Sequence, residues 1–152
     1  MNQVKRAIIL AAGKGERMKP ITLTTPKPLV AVNGIRMIDT VIQALHQNGI
    51  NEIYVVVGYL KERFSELPSE YPGVQLVENP WFDSCNNISS LYVARGHLED
   101  CIILDGDQII YNPEILSPAY KLHFTILSNK VLLSSLSPPG FLPPPAAAPI
   151  YL

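Results

Sequence analysis

The stretch VKRAIILAAGKGERMKPITLTTPKPL, residues 4–29, joins a short, mostly apolar run to a loop rich in Gly, Pro and Thr. The run from Val4 to Leu10 is short and is followed by glycines, a pattern typical of a buried strand. Loop 11–26 begins where this strand ends. Because glycine lets the backbone approach a ligand closely, Gly13 and Gly15 favour an anion-binding loop at the carboxyl end of the strand.

Basic residues are concentrated in the same part of the chain. Residues 1–38 contain seven Lys or Arg and one Glu. Four of these basic residues fall within 14 positions: Lys14, Arg17, Lys19 and Lys27. Such a charge density beside glycines suits a triphosphate. Two common phosphate motifs are excluded, because Met18 stands where the dinucleotide fingerprint needs a third glycine and no Gly-Lys-Ser/Thr of a Walker A loop is present.

The segments that follow alternate between strand and helix patterns. Strand patterns occur at 52–57, 74–77 and 101–104, and helix patterns at 38–49, 60–67 and 88–98. Asn33-Gly34 predicts a hairpin with a type I′ turn, and Gly49 predicts the end of the first helix. In the last helix, Leu91, Ala94 and Leu98 are expected to face inward. This order predicts an α/β fold, a Rossmann-like, mostly parallel sheet with helices on both faces.

Two chemically distinctive segments follow strands of the predicted sheet. One is loop 11–26, and the other is Asp105-Gly106-Asp107 after the fourth strand. In folds of this class, ligands bind outside the carboxyl ends of the strands. We therefore expect the two segments to form one site.

Composition narrows the range of functions. A formal net charge of -1 argues against a general nucleic-acid binder. No stretch of about 18 apolar residues is present, so no membrane span is expected. Cys85 and Cys101 form no CxxC pair, which favours a reducing, cytoplasmic setting.

The composition changes near residue 117. Residues 1–116 hold all 13 acidic residues and have a formal charge of -3, whereas residues 117–152 hold none and contain seven of the 14 prolines. Proline at this density does not supply helix or sheet hydrogen bonds. We therefore expect a domain over 1–116 and an irregular Pro/Ala-rich tail, extended or poorly ordered, over 117–152.

The pattern LAAGxGxRMxPxTxxxPKPL matches residues 10–29 without a gap and resembles the signature of the sugar-phosphate and choline-phosphate nucleotidyltransferases. NPWFDSCNNISSLY at 79–92, with Asp105-Gly106-Asp107 downstream, resembles the choline-phosphate cytidylyltransferase branch. The resemblance covers roughly residues 5–116. Full-length relatives continue for about as many residues again, so it implies the N-terminal, nucleotide-binding half of the fold.

The resemblance implies nucleotide-binding roles for matching residues. The backbone of four residues would hold the base and ribose: Leu10, Ala11, Ala12 and Gly13. Three further residues would border the nucleoside: Asn86, Asn87 and Ser90. Gly15 and Arg17 would hold the β- and γ-phosphates. Asn86 and Asn87 also fit a second role, because asparagine commonly caps a helix such as the one predicted to begin near Ile88.

The resemblance also implies the chemistry. An oxygen of a phosphate monoester attacks the α-phosphorus and expels pyrophosphate. The acceptor is largely ionised at neutral pH, since its second pKa is about 6, so no general base is needed. Lys27 would neutralise charge around the α-phosphate and Asp107 would bind Mg²⁺, which takes few protein carboxylates. Asp105 is either a second ligand or a turn residue. Trp81, Phe82 and Tyr92 are expected to be packing residues rather than a choline cage.

Three functions remain open from the sequence. The first is transfer of a cytidylyl group from CTP to a phosphorylated small molecule such as phosphocholine. The second is a sugar-1-phosphate nucleotidyltransferase, and the third is a nucleotide-binding fragment without catalysis. In the family, a second metal-binding Asp lies in the C-terminal half, and residues 117–152 contain no carboxylate side chain. We therefore expect impaired turnover, and self-association through exposed apolar surface.

Overall fold

The computed structural model describes residues 4–84 and 87–116, which form a parallel sheet and a small separate hairpin. The strands are β1 (Arg6–Ala11), β2 (Ala31–Val32), β3 (Ile35–Arg36), β4 (Glu52–Val57), β5 (Val74–Glu78) and β6 (Cys101–Asp105). The α-helices are α1 (Met37–Gln47), α2 (Leu67–Glu70) and α3 (Asn87–Val93). The main sheet has the order β5-β4-β1-β6 with every pair parallel. The predicted α/β class is confirmed.

Successive side chains of β1 point to opposite faces of the sheet and pack in two different apolar layers. Ala7, Ile9 and Ala11 belong to a buried cluster that includes the apolar face of α1. Ile8 packs on the opposite side of the sheet, in a second cluster to which the end of α3 contributes Val93. Both faces of the sheet are therefore covered, which explains why its central strands are apolar on successive residues.

Two turns form as the sequence predicts. Gly49 follows α1 with a φ of 76°, and its N–H donates to His46 O at 3.0 Å. The N–H of Ile50 donates to Leu45 O at 3.0 Å, which completes a Schellman motif. Asn33 and Gly34, with φ of 52° and 83°, both take the left-handed conformation that a type I′ turn requires.

Two predicted helices differ from the observed ones. In place of a helix over 60–67, a 3-10 helix at Lys61–Phe64 precedes α2; Leu60, with a left-handed φ of 49°, lies before the helix rather than in it. The predicted helix over 88–98 is the shorter α3 followed by a 3-10 turn at Arg95–His97.

The inward face of α3 also differs from the prediction. Ala94, just beyond the helix, is buried as expected, but Leu91 and Leu98 are only half-buried. Ser89, Ser90 and Tyr92 are buried on α3. The buried Asn79, which follows β5, donates hydrogen bonds to both serine hydroxyls, and this is why polar residues occupy this face.

Within residues 4–84 and 87–116, no helix is long and apolar enough to cross a membrane. The predictions for the tail over 117–152, and those for Cys85 and Asn86, lie outside the described residues.

Candidate functional site

A cleft of about 350 Å³ opens at the carboxyl ends of β1 and β6. It brings together every site residue expected from the sequence that the structure describes, and Asn86 lies outside the described residues: Leu10, Ala11, Ala12, Gly13, Gly15, Arg17, Lys27, Asn87, Ser90 and Asp107. Four further residues line it: Glu16, Met18, Pro28 and Asp105. Loop 11–26 and the segment after β6 therefore share one site, as the strand order leads one to expect.

Hydrogen bonds to neighbouring strand ends hold the loop after β1. The N–H of Gly106 donates to Leu10 O at 2.9 Å, and the N–H of Tyr59 donates to Ala12 O at 3.1 Å. Farther along, the hydroxyl of Tyr59 donates to Thr22 O at 2.8 Å. These bonds connect the loop to the ends of β4 and β6, so the backbone facing the cleft is held in place before any ligand binds.

Gly15 is required by the fold of the loop itself. Its φ is 63°, and a Cβ at this position would lie 2.9 Å from Thr22 Cγ2. The buried Thr22 donates its hydroxyl hydrogen to Gly15 O at 3.0 Å, which pulls the two segments together. Gly13 differs, because a Cβ there would meet nothing within 4 Å. Its lack of a side chain leaves open space toward solvent and the cleft.

Lys27 and Asp107 form an ion pair in the cleft, although 80 residues separate them in the chain. Lys27 begins a 3-10 helix and lies between the buried Pro26 and Pro28. Asp107 follows β6 through Gly106, where a Cβ would lie 3.2 Å from Leu10 O. The pair carries one charge of each sign, so a bound anion and a bound cation could each take one partner.

Asp105 is the second carboxylate of the cleft. Desolvation raises the pKa of Asp105, the nearby charge of Asp107 raises it further, and Lys27 opposes the shift. A nearby cation would favour the ionised form of Asp105 and lower this pKa. No cluster of three or more His, Cys, Asp or Glu occurs in the described part of the chain. Two carboxylates fit a hard cation that keeps waters and takes phosphate oxygens.

The basic residues of the loop occupy different surroundings. Lys14 forms an ion pair with Asp83 from the turn after β5, and this hydrogen bond raises the pKa of Lys14. Lys19 pairs with Glu16 within the loop. Arg17 is exposed and lines the cleft. The cationic side chains that line the cleft are therefore Arg17 and Lys27 among the residues that the structure describes.

Asn79 is a residue of the site region that the sequence did not single out. It is 1% exposed, and its side-chain amide donates to Ser89 Oγ at 2.9 Å and to Ser90 Oγ at 3.0 Å. Ser90 lines the cleft beside Asn87. Segment 79–92, which carries the resemblance, begins with this asparagine. The sequence did not predict a role for it because an Asn-Pro pair is more typical of a turn.

The aromatic residues near α3 contact protein groups. Trp81 and Tyr92 pack edge to face with ring centroids 6.3 Å apart. The guanidinium carbon of Arg95 lies 4.3 Å from the centroid of the Tyr92 ring. Phe82 packs over Gly58, where a Cβ would lie 2.6 Å from Phe82 Cβ. These contacts support the packing role expected from the sequence.

Residues 7–122 match the family model of the MobA-like NTP transferase domain. The chain is 53% identical over 114 residues to 2-aminoethylphosphonate cytidylyltransferase of Lancefieldella rimae, covering 74% of this chain and 46% of that protein. It is 44% identical over 106 residues to choline-phosphate cytidylyltransferase of Streptococcus pneumoniae, covering 70% and 46%. The chain thus spans about half the length of these relatives.

Solved structures agree with the sequence matches. The CTP:phosphocholine cytidylyltransferase of Streptococcus pneumoniae superposes with a TM-score of 0.69 at 44% identity, over 71% of this chain and 47% of that one. A putative glucose-1-phosphate thymidylyltransferase from Bacillus anthracis shares the fold, with a TM-score of 0.63 at 24% identity, over 72% and 46%. The chain belongs to the MobA-like NTP transferase domain family, and its homologues include cytidylyltransferases.

Proposed function

We propose that this chain is the nucleotide-binding half of a cytidylyltransferase that transfers CMP from CTP to a small phosphate or phosphonate. One observation carries the proposal. The glycine loop, the two cations Arg17 and Lys27 and the carboxylate of Asp107 line a single cleft at the strand ends. This combination supplies anion-binding backbone, positive charge and a cation ligand in one place, as a nucleoside triphosphate requires.

In the proposed reaction, an acceptor oxygen forms a bond to the α-phosphorus of CTP and the bond to the pyrophosphate oxygen breaks. The electron pair leaves on pyrophosphate. Lys27 lies where it can neutralise charge as it develops, and Arg17 holds the leaving phosphates. Because the acceptor oxygen is already ionised, the chain needs no proton acceptor, and the work of its residues is positioning and electrostatic stabilisation.

Mg²⁺ is the cofactor that we propose for this site. Asp107 would hold it, with Asp105 as a second oxygen donor, since both carboxyl groups line the cleft. When bound, Mg²⁺ neutralises phosphate charge and orients the phosphates. Lys27 forms an ion pair with the carboxylate of Asp107.

Replacing Asp107 with Asn should reduce the increase in CTP affinity that Mg²⁺ produces by about tenfold or more, the scale of one charged contact. The substitution keeps the size of the side chain and removes the charge that a hard cation needs. Titration calorimetry with and without Mg²⁺ measures the difference. Asp100→Asn is the matched control, because Asp100 pairs with Lys5 away from the cleft. An unchanged Mg²⁺ dependence in D107N would remove Asp107 as the ligand.

The acceptor that we propose is a small molecule with an anionic phosphorus group and a positively charged nitrogen, such as phosphocholine. Choline phosphate and 2-aminoethylphosphonate, named for two of the relatives, share both groups. A sugar 1-phosphate is the alternative, because sugar-phosphate nucleotidyltransferases also occur among the relatives.

Binding of nucleotides tests the proposal directly. We expect CTP with Mg²⁺ to bind more tightly than UTP, GTP or dTTP in titration calorimetry. A pyrophosphate-release assay with phosphocholine, 2-aminoethylphosphonate and glucose 1-phosphate then tests the acceptor. Preference for another nucleotide, together with turnover of the sugar phosphate, would replace the proposal with the alternative. CTP binding without turnover of any acceptor would favour a fragment that binds nucleotide only.

Two further parts of the proposal concern the setting of the protein. A reducing cytoplasm is supported by the free, buried thiol of Cys101. Burial raises the pKa of this thiol, so it is a poor nucleophile.

Self-association is supported by apolar side chains that are exposed at the hairpin and after β6: Val32, Ile35, Tyr111 and Ile115. Sedimentation velocity on purified protein tests self-association, and Tyr111→Ser should reduce it if this surface is responsible.

A further inference from the structure

Asn79 connects the ends of two sheet strands to α3. Its backbone N–H donates to Val57 O at 2.8 Å, at the end of β4. Its side-chain oxygen accepts from the backbone N–H of Trp81 at 3.0 Å. Its side-chain nitrogen donates to Ser89 Oγ at 2.9 Å and Ser90 Oγ at 3.0 Å. Both ends of the buried amide are therefore satisfied by protein groups.

This arrangement determines which end of the amide faces the serines. A backbone N–H can only donate, so the atom of Asn79 that faces Trp81 N must be the oxygen. The NH₂ group then faces the two hydroxyls, and each hydroxyl oxygen accepts a hydrogen bond from it. Ser90 consequently does not use its own hydroxyl hydrogen in its bond with Asn79.

Ser90 is 4% exposed, yet it lines the cleft. A buried hydroxyl hydrogen is stabilised by an acceptor, and a ligand atom in the cleft can supply one. Ser90 lines the cleft together with Asn87 and the backbone of Leu10 to Gly13, the residues that are proposed to border the nucleoside.

We propose that Asn79 is a positioning residue for nucleoside recognition: it orients Ser90 so that the serine hydroxyl donates a hydrogen bond to an acceptor atom of the nucleoside. This inference rests on the proposed function and deepens it. The atom opposite Ser90 is then a ring carbonyl oxygen, an unprotonated ring nitrogen or a ribose oxygen, and not an amino group. Asn79 itself does not touch the nucleotide.

Asn79→Asp tests this inference because it reverses the direction of the hydrogen bonds at nearly constant shape. Carboxylate oxygens only accept, so Ser90 would donate to residue 79 and lose its donor toward the cleft. We expect CTP affinity to fall about 3- to 10-fold, the scale of one neutral hydrogen bond. Affinity for inorganic tripolyphosphate, which has no nucleoside, should not change. Both are measured by titration calorimetry at constant Mg²⁺.

Variants at Ser90 separate this role from a merely structural one. Ser90→Ala should produce a similar loss for CTP alone, Ser90→Thr should retain affinity, and N79D should have no further effect in the S90A background. If N79D does not fold, as judged by its thermal unfolding, the comparison of S90A with S90T carries the test.

The outcomes separate this inference from the proposed function. If CTP binds the native chain but N79D and S90A bind it equally well, the hydroxyl donates within the protein and the inference is wrong, whereas the proposed function stands. Equal losses for CTP and tripolyphosphate would also overturn it, because the effect would then be structural. If no nucleoside triphosphate binds the native chain, both proposals fail.

Discussion

Replacing Lys27 with alanine is expected to weaken binding of CTP about 10- to 100-fold, because a charge-assisted contact contributes roughly 1.5–3 kcal/mol. Lys27 lies in the cleft beside Asp107, and both side chains are partly buried there. Removing the ammonium group leaves the carboxylate of Asp107 without its counter-charge, and that carboxylate then repels phosphate. The loss should therefore be largest when Mg²⁺ is absent.

The pattern across ligands identifies the cause of this loss. Lys27 is proposed to meet phosphates and not the base, so affinity for CMP should fall much less than affinity for CTP in the same variant. Arg17→Ala should show the same preference. Lys61→Ala is a matched control, because Lys61 pairs with Glu78 at 2.5 Å outside the cleft and its removal should leave both affinities unchanged. Equal losses for CMP and CTP would mean that Lys27 is not a phosphate ligand.

Replacing Phe64 with alanine is expected to lower the free energy of unfolding by about 3–5 kcal/mol, the usual range for removing a buried aromatic ring. Phe64 is fully buried in the layer that α1 and the sheet form. Its ring comes from the 3-10 helix at Lys61–Phe64. A domain with a total stability of about 5–15 kcal/mol would lose much of it.

Urea unfolding followed by circular dichroism measures this effect. Glu62→Ala is the matched control, since Glu62 lies on the same 3-10 helix and is exposed, and its replacement should change stability by less than about 0.5 kcal/mol. At low urea concentration, the folded fraction of F64A should still bind CTP, because Phe64 does not line the cleft. A stability loss in F64A below about 1 kcal/mol would mean that this layer is not the main core of the domain.

Local features of the chain were predictable from sequence because their causes are local. The strand β1, the type I′ turn at Asn33-Gly34 and the helix end at Gly49 depend on residues within a few positions. The helices around 60–70 and 87–97 were predicted less well. The serines of α3 are buried because they bind Asn79 from another segment, and a pattern of apolar spacing does not contain that contact.

The sequence by itself determined the class of fold, the family and most of the residues that line the cleft, because strand–helix order and a glycine loop with clustered basic residues restrict where ligands can bind, and the family signature adds the residues of α3. The tertiary structure alone decided the pairing of charges and the direction of hydrogen bonds. Lys27 meets Asp107 across 80 positions, and Asn79 fixes the hydroxyl of Ser90. Both depend on parallel strands from distant parts of the chain ending at one edge of the sheet, a relation that no local pattern records.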